Sequence, residues 1–218
     1  MRPVPFKLYL IGDRKQTKGR PLADVFREAG KAGVPALQFR EKDLPMREQF
    51  ALASELKQVT KQYGIKLLIN SRVDLCLVLD ADGVHLPACD IPVSVARRML
   101  GKEKLIARSC HSYEDVKNAE EEGADFAVLG PVFDTPSKRP YGPPLGVDIL
   151  RSVKEKTHIP LFAIGGITQG RLYEIFETGA DGVGMISEIL SAEDVAERCR
   201  QVLSRISQIH ADPSPRPA

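Results

Sequence analysis

The sequence lacks the features of a membrane protein, a secreted protein or a nucleic-acid-binding protein. No apolar run approaches the roughly 18 residues of a membrane span, and the N-terminal "MRPVPFKLYLIGDRK" is not the pattern of a signal peptide. The formal net charge over 218 residues is only +2, whereas a nucleic-acid-binding domain needs a concentrated basic face. What is present, 43% hydrophobic and 28% charged residues, is ordinary for a soluble globular protein with a full core.

Cysteine is scarce and widely spaced, which argues against a disulfide framework or a clustered metal site. The four residues, Cys76, Cys89, Cys110 and Cys199, form no CxxC pair. We therefore interpret them as reduced thiols that mostly pack in the interior. Reduced cysteines fit a cytoplasmic protein.

Eight short apolar runs recur along the chain, separated by amphipathic helical patterns. Most are continuous rather than alternating, which is typical of parallel strands covered on both sides. The runs span residues 8–13, 36–40, 66–70, 83–86, 105–109, 126–130, 161–165 and 182–187.

Eight strand–helix units predict a single (β/α)8 TIM barrel over residues 1–209. The competing doubly wound sheet usually has about five to seven strands, and no GxGxxG follows the first run. Residues 210–218 carry three prolines and no large apolar side chain, so we expect a disordered tail.

Polar side chains follow the predicted strands, at the carboxyl ends where barrel active sites form. Gln38, Arg40 and Lys42 alternate along the second strand, so all three point the same way. At the top of a barrel such cations would face a polyanion. The alternative is a set of surface salt bridges with Glu41 and Asp43.

The last two strands end in "AIGGI" at 163–167 and "GMIS" at 184–187. Glycines there expose backbone N–H groups next to helix N-termini, which predicts a phosphate cradle, with tight turning as the alternative. Asp90, after the fourth strand, is a candidate Mg²⁺ ligand or else the cap of the next helix. His111 is a candidate acid or base or a simple loop residue, and His85 is interpreted as a satisfied buried histidine.

Several segments together resemble the thiamine phosphate synthase family, which shares its barrel with the thiazole tautomerases. The resemblance covers nearly the whole chain. It implies an enzyme that joins hydroxymethylpyrimidine diphosphate to thiazole phosphate, giving thiamine phosphate and diphosphate, with Mg²⁺ as cofactor. The segments that carry it, in order, are "YLIGDR", "LQFREKDLP", "LLINSRVDL", "ADGVHLPACD", "ARSCHS", "GADFAVLGPVFDTPSK", "AIGGI" and "GADGVGMIS".

The resemblance also implies roles for individual residues. The diphosphate would be held by Gln38, Arg40, Lys42, Asn70 and Lys138. Ser109 and Thr135 would line the pyrimidine and thiazole region, and Ser137, in the same loop as Lys138, would face substrate phosphate. The thiazole phosphate would bind the backbone of Gly166, Ile186 and Ser187. Mg²⁺ would lie at Asp90 and Ser71, and the residues with catalytic roles would be Arg40, Ser109, His111 and Lys138.

Some positions depart from the synthase pattern. Ser71 stands where the synthase motif usually has a Mg²⁺-binding aspartate, and "HLPACD" replaces His-Leu-Gly-Gln-x-Asp although Asp90 is kept. "HLP" and "RSCHS" look more like the tautomerases, in which a histidine at the position of His111 shuttles a proton without metal. We favour the synthase, because the anion-binding set and the loop around Lys138 are kept.

A thiazole tautomerase and a non-catalytic barrel that binds thiamine precursors stay as alternatives. The expected partners are small molecules, with no nucleic acid and no membrane. The sequence leaves a monomer and a homodimer both open.

Overall fold

Eight parallel strands close into a barrel in sequence order, and a computed structural model describes residues 3–136 and 139–211 of it. Each strand coincides with a predicted run, so the (β/α)8 prediction is confirmed. The strands are β1 Leu8–Ile11, β2 Ala36–Phe39, β3 Lys66–Asn70, β4 Gly83–Leu86, β5 Leu105–Cys110, β6 Phe126–Leu129, β7 Leu161–Ile164 and β8 Gly182–Met185.

Helices cover the outside of the barrel. The last one runs to Ala211, two residues into the predicted tail, and residues 212–218 lie outside the part of the chain that the structure describes. None of the described helices is long and apolar enough to cross a membrane. The helices are α1 Leu22–Lys31, α2 Met46–Tyr63, α3 Val73–Val78, α4 Val93–Leu100, α5 Tyr113–Glu121, α6 Gly146–Lys156, α7 Leu172–Phe176, α8 Ser187–Leu190 and α9 Val195–Ala211.

The inward-facing side chains divide the barrel into an apolar floor and a polar mouth. A cluster that includes Tyr9, Leu68, Phe126 and Phe162 fills the lower interior. Strand residues alternate between the two faces of the sheet, so the inward position after Leu68 is Asn70. By the same alternation Gln38 and Arg40 follow Ala36, and Ser109 follows Ala107. The polar residues at the predicted strand ends are therefore placed together at the carboxyl end of the barrel.

The cysteines pack as predicted, with one exception. Cys76, Cys110 and Cys199 are buried, and burial raises the pKa of their thiols to about 11, about 12 and about 12 respectively. Cys89 is exposed. All four are free thiols.

Three aspartates brace the amino-terminal end of the barrel in the same way. Asp82, Asp125 and Asp181 each precede an even-numbered strand. Their carboxylates accept hydrogen bonds from backbone N–H groups at the start of the preceding strand, at 3.0, 2.7 and 2.8 Å. Each carboxylate also pairs with a cation, which is Lys66, Arg97 and Lys154 in turn.

Asp125 is the most enclosed of the three, with a side chain 10% exposed. We expect Asp125→Ala to lower the free energy of unfolding by about 2 kcal/mol, because Arg97 loses its carboxylate partner and the Ile106 N–H loses its acceptor. Urea denaturation measures the change. Asp24→Ala, which removes a surface partner of Arg27, is the control and should cost less than about 1 kcal/mol. Equal losses in the two variants would contradict the brace.

Candidate active site

The acidic residues beside the predicted anion-binding set are already paired with cations from the first strand's loop. The Arg14 backbone N–H donates to Glu41 Oε1 at 3.0 Å. Asp43 accepts from Arg14 Nη2 at 3.0 Å and lies 2.7 Å from Lys15 Nζ. Burial raises the pKa of Glu41, with the contacts to Arg14 acting in the opposite direction.

This pairing leaves Arg40 and Lys42 without acidic partners. Within residues 3–136 and 139–211 neither cation forms an ion pair or a side-chain hydrogen bond with the protein. The salt-bridge alternative is therefore wrong for these two residues. Gln38 is buried at 1% exposure, Arg40 is partly buried and Lys42 is exposed. A partly buried, unpaired guanidinium at the barrel mouth suits an anion, because it keeps a desolvation cost that an anion would offset.

A buried hydrogen-bonded chain lies below this mouth. Tyr9 Oη is 3.3 Å from His85 Nδ1, and His85 Nε2 is 2.7 Å from Ser109 Oγ. Burial, with Arg40 and Arg108 nearby, lowers the pKa of His85 to about 3, so the ring is neutral. The interpretation of His85 as a satisfied buried histidine is confirmed. The sequence did not indicate that one of its partners is the candidate site residue Ser109.

Arg108 is a second residue that sequence reasoning missed. Its guanidinium donates to the carbonyl oxygens of Ala88 and Ile91 at 2.8 and 2.9 Å. Those residues flank Asp90, so Arg108 holds the loop that presents the candidate metal ligand. The signal in the sequence is an arginine within a mainly apolar strand.

Asp90 does not cap the helix that follows it. Helix α4 begins at Val93 after Pro92 with no side-chain cap, and the Val93 N–H donates instead to Glu122 at 2.6 Å. The helix-cap alternative is therefore wrong. Asp90 Oδ1 accepts from the Ile91 N–H at 2.8 Å. Its other oxygen has no hydrogen-bond partner in the described part of the chain.

Ser71 follows β3 in a left-handed conformation, with φ +62°. Its N–H donates to the carbonyl of His85 at 3.0 Å, and its hydroxyl accepts from the Asn70 side chain at 3.1 Å. Asparagine and aspartate adopt this conformation far more readily than other side chains except glycine. The backbone here therefore suits the aspartate that the family motif usually carries.

His111 lies on the rim, next to the loop that follows β6. Because a carbonyl can only accept, Nδ1 donates to the Gly130 oxygen, at 2.6 Å. The His111 backbone N–H donates to Asp115 Oδ2 at 2.8 Å. The residue is exposed, so its Nε2 is the ring nitrogen left for solvent or ligand.

Backbone hydrogen bonds connect the two ends of the loop after β6 to each other, and the loop packs against the end of β7. Leu145 and Gly146 donate backbone hydrogen bonds to Pro131 and Val132 at 2.8 and 3.0 Å. Phe133 donates to the carbonyl of Gly165 at 3.0 Å. The partly buried Thr135 belongs to this loop. Ser137 and Lys138, predicted from the same loop, lie outside the described residues.

The backbone conformation after β7 requires glycine at positions 165 and 166. They have φ +99° and +63°, and a Cβ on Gly166 would lie 2.7 Å from the Asp134 carbonyl oxygen. Arg171 fixes the turn by donating to the Gly166 carbonyl at 2.6 Å, with its guanidinium 4.3 Å from the centre of the Phe133 ring.

The predicted phosphate cradle has donors to offer. The Gly166 N–H has no acceptor among the residues that the structure describes. Ser187 is the first residue of α8, so its N–H has no partner within that helix. Ile186, just before it, also contacts the interior cluster. Tight turning and phosphate binding are thus compatible uses of the same glycines.

The family model described as thiamine monophosphate synthase matches residues 8–189. The chain belongs to this family. A putative thiamine-phosphate synthase of Geobacter sulfurreducens is 46% identical over 204 residues, covering 94% of this chain and 96% of that one. The thiamine-phosphate synthase of Syntrophomonas wolfei is 43% identical, covering 92% and 97%.

Solved structures agree with the family assignment. Thiamine phosphate pyrophosphorylase from Pyrococcus furiosus superposes with a TM-score of 0.85 at 35% identity, covering 93% of this chain and 96% of that one. A 3-hexulose-6-phosphate synthase, with a TM-score of 0.71 at 14% identity over 92% of this chain and 100% of that one, shares the barrel fold. The resemblance that the sequence motifs indicated is thereby confirmed.

Proposed function

We propose that this chain is a thiamine-phosphate synthase. It would join hydroxymethylpyrimidine diphosphate to thiazole phosphate and release diphosphate. The observation that carries the proposal is the unpaired state of Arg40 and Lys42 at the barrel mouth, while Glu41 and Asp43 between and beside them are paired elsewhere. A diphosphate supplies the negative charge that these cations lack.

The reaction forms a bond from the thiazole nitrogen to the pyrimidine methylene carbon and breaks the bond from that carbon to the diphosphate oxygen. Arg40 and Lys42 would neutralise charge that grows on the departing diphosphate, and from its sequence motif Lys138 would join them. Gln38 and Asn70 would orient the diphosphate, and Ser109 and Thr135 the rings. The Gly166 and Ser187 N–H groups would hold the thiazole phosphate, so that much of the rate comes from positioning.

The residues present fit a Mg²⁺ site in which substrate phosphate and water supply most of the ligands. The described residues hold no group of three or more His, Cys, Asp or Glu that could bind a metal alone. Asp90 offers one carboxylate oxygen, and Mg²⁺ commonly takes one or two carboxylates with substrate phosphates and water. When bound at Asp90, with Ser71 at the edge of the site, Mg²⁺ would neutralise further leaving-group charge.

The test is an assay with both precursors, with Mg²⁺ and with EDTA. We expect thiamine phosphate and diphosphate only with Mg²⁺, and weaker activity in Lys42→Ala and Asp90→Ala. No product under either condition contradicts the proposal. A tautomerase would instead convert thiazole carboxylate phosphate in EDTA and lose activity in His111→Ala. A binding protein would retain the precursors without turnover.

Arg108 should affect the metal requirement through the Asp90 loop. We expect Arg108→Met to raise the Mg²⁺ concentration for half-maximal activity about ten-fold, because residues that orient a metal ligand typically contribute this much. Arg98→Met, on the exposed side of α4, is the matched control and should leave the Mg²⁺ requirement unchanged. The same Mg²⁺ concentration for half-maximal activity in both variants and the parent would contradict this role.

Ser71→Asp should strengthen Mg²⁺ binding. A second carboxylate at a backbone position that suits aspartate is expected to tighten Mg²⁺ about ten-fold in the presence of inorganic diphosphate. Isothermal titration calorimetry measures this without turnover. Ser71→Asn relieves the same backbone without adding charge, so it should raise Tm but not Mg²⁺ affinity. Equal Mg²⁺ affinity in the two variants would show that position 71 is not a ligand position.

The site as described draws its residues from one barrel, so a monomer would suffice for the reaction, and a homodimer is not required by it. We propose a cytoplasmic location, which the free thiols support.

A further inference from the structure

Tyr9, His85 and Ser109 form a continuous buried chain whose hydrogen-bond direction can be worked out. Tyr9 is fully buried and His85 is 3% exposed, while Ser109 is partly exposed toward the barrel mouth. A neutral imidazole has one donating and one accepting nitrogen. The direction of both hydrogen bonds therefore depends on which His85 nitrogen carries the proton.

Only one tautomer of His85 gives a hydrogen-bond partner to every polar atom of the buried Tyr9–His85–Ser109 series. The Tyr9 hydroxyl has His85 Nδ1 as its only partner within the described chain. If Nδ1 carried the proton, the phenol hydrogen would be left buried without an acceptor, which costs about 1–3 kcal/mol. With Nδ1 accepting from Tyr9, the proton lies on Nε2, which then donates to Ser109 Oγ at 2.7 Å.

Ser109 is thereby fixed as a donor toward the ligand. Its oxygen accepts from His85, so its own hydrogen is free to point to the barrel mouth. The opposite tautomer would turn that hydrogen inward and present only lone pairs. An aminopyrimidine offers ring nitrogens that accept and an amino group that donates, so the two states of Ser109 would select different edges of the ring.

We propose that Tyr9 acts through His85 as a positioning residue, making Ser109 a hydrogen-bond donor that selects a ring nitrogen of the substrate. The proposal rests on the function proposed above and goes beyond it by assigning a role in specificity to two residues buried below the barrel mouth. Tyr9 also packs against Phe6 and Phe126, with ring centres 5.9 and 5.6 Å away, so Tyr9→Phe keeps the ring and removes only the hydroxyl.

The first measurement is the tautomer itself. Long-range ¹H–¹⁵N correlation spectra of histidine-labelled protein should show the proton of His85 on Nε2 in the parent and a loss of that preference in Tyr9→Phe. A proton on Nδ1 in the parent overturns the proposal. This reading needs no turnover, so it stays decisive even if the synthase assay fails.

The second measurement is binding of hydroxymethylpyrimidine diphosphate and of its pyridine analogues, in which one ring nitrogen is replaced by CH. The parent should bind the substrate about ten-fold tighter than one of the analogues, the value of one hydrogen bond. This preference should disappear in Ser109→Ala and in Tyr9→Phe, and the double variant should lose no more affinity for the substrate than either single variant. Additive losses of substrate affinity in the double variant would overturn the proposal.

A matched control separates specificity from stability. Thr178 is buried, and its hydroxyl donates to the Ile175 carbonyl at 2.7 Å, away from the barrel mouth. Thr178→Val also removes a buried hydroxyl, and it should lower Tm without changing the preference between substrate and analogue. An equal change of preference in Thr178→Val would reduce Tyr9 to a structural role. Absence of thiamine phosphate formation would overturn the proposed synthase activity and leave the tautomer and binding results to decide the chain's role.

Discussion

Arg40→Ala is expected to lower kcat/KM for the pyrimidine diphosphate about 100-fold, the usual loss when one charge-stabilising donor is removed from a site. The guanidinium has no acidic partner among the described residues, and Arg40 directly follows β2, two positions after the buried Gln38. Its removal should therefore change the free energy of unfolding little but strongly weaken the interaction with the diphosphate. Steady-state kinetics at saturating Mg²⁺ and thiazole phosphate give the value.

The matched control is Arg27→Ala on helix α1. Arg27 pairs at the surface with Asp24 and Glu55, so its loss should leave kcat/KM unchanged. Arg40→Lys should recover part of the activity, because it restores charge without the planar two-pronged donor. Arg40→Ala with more than half of the parent kcat/KM would show that the diphosphate does not bind at this cation.

Gly166→Ala should reduce both stability and activity. At φ +63° an alanine costs roughly 1–2 kcal/mol, and its Cβ would lie 2.7 and 2.8 Å from Asp134 O and Phe133 Cβ. Together with overpacking, the loss in the free energy of unfolding is expected to reach about 3 kcal/mol. Displacement of the turn should lower kcat/KM for thiazole phosphate about 100-fold.

Gly170→Ala provides a control from the same segment. A Cβ there meets only the Thr168 hydroxyl oxygen, at 4.0 Å, and should be tolerated. Urea denaturation and kinetics on both variants test the comparison. If Gly166→Ala retained parental KM for thiazole phosphate, the turn after β7 would have no part in binding that phosphate.

The sequence predicted the barrel well because its signals are local. Eight apolar runs coincide with eight strands, and the two-residue period of β2 predicts that Gln38 faces the same way as Ala36, which packs in the interior cluster. Short motifs also mark helix ends: Gly64, with φ +68°, ends α2, and the Ser112 side chain caps α5. Hydrophobic periodicity and turn chemistry act over a few residues, so a single chain records them.

What the sequence could not predict are the contacts between distant elements. Neither the pairing of Asp43 with Arg14 and Lys15 nor the reach of Arg108 to the Asp90 loop leaves a local pattern. Asp90 was as consistent with a helix cap as with a metal ligand until the start of α4 was known. The donor character of Ser109 depends on Tyr9, which lies 100 positions earlier in the chain.

The aspartate braces at the base of the barrel give it a modular construction. Strands β3 and β4, β5 and β6, and β7 and β8 each share one carboxylate clamp, whereas among the described residues the pair β1 and β2, with Pro35 before β2, has none. Each clamp ties the two strands of its own unit. Chimeras between family members that are joined in α4 before Arg97, or in α6 before Lys154, would keep every clamp intact, whereas joints inside a unit would have to preserve both partners. Quarter-barrels bounded by these clamps are therefore the natural pieces for recombining such enzymes.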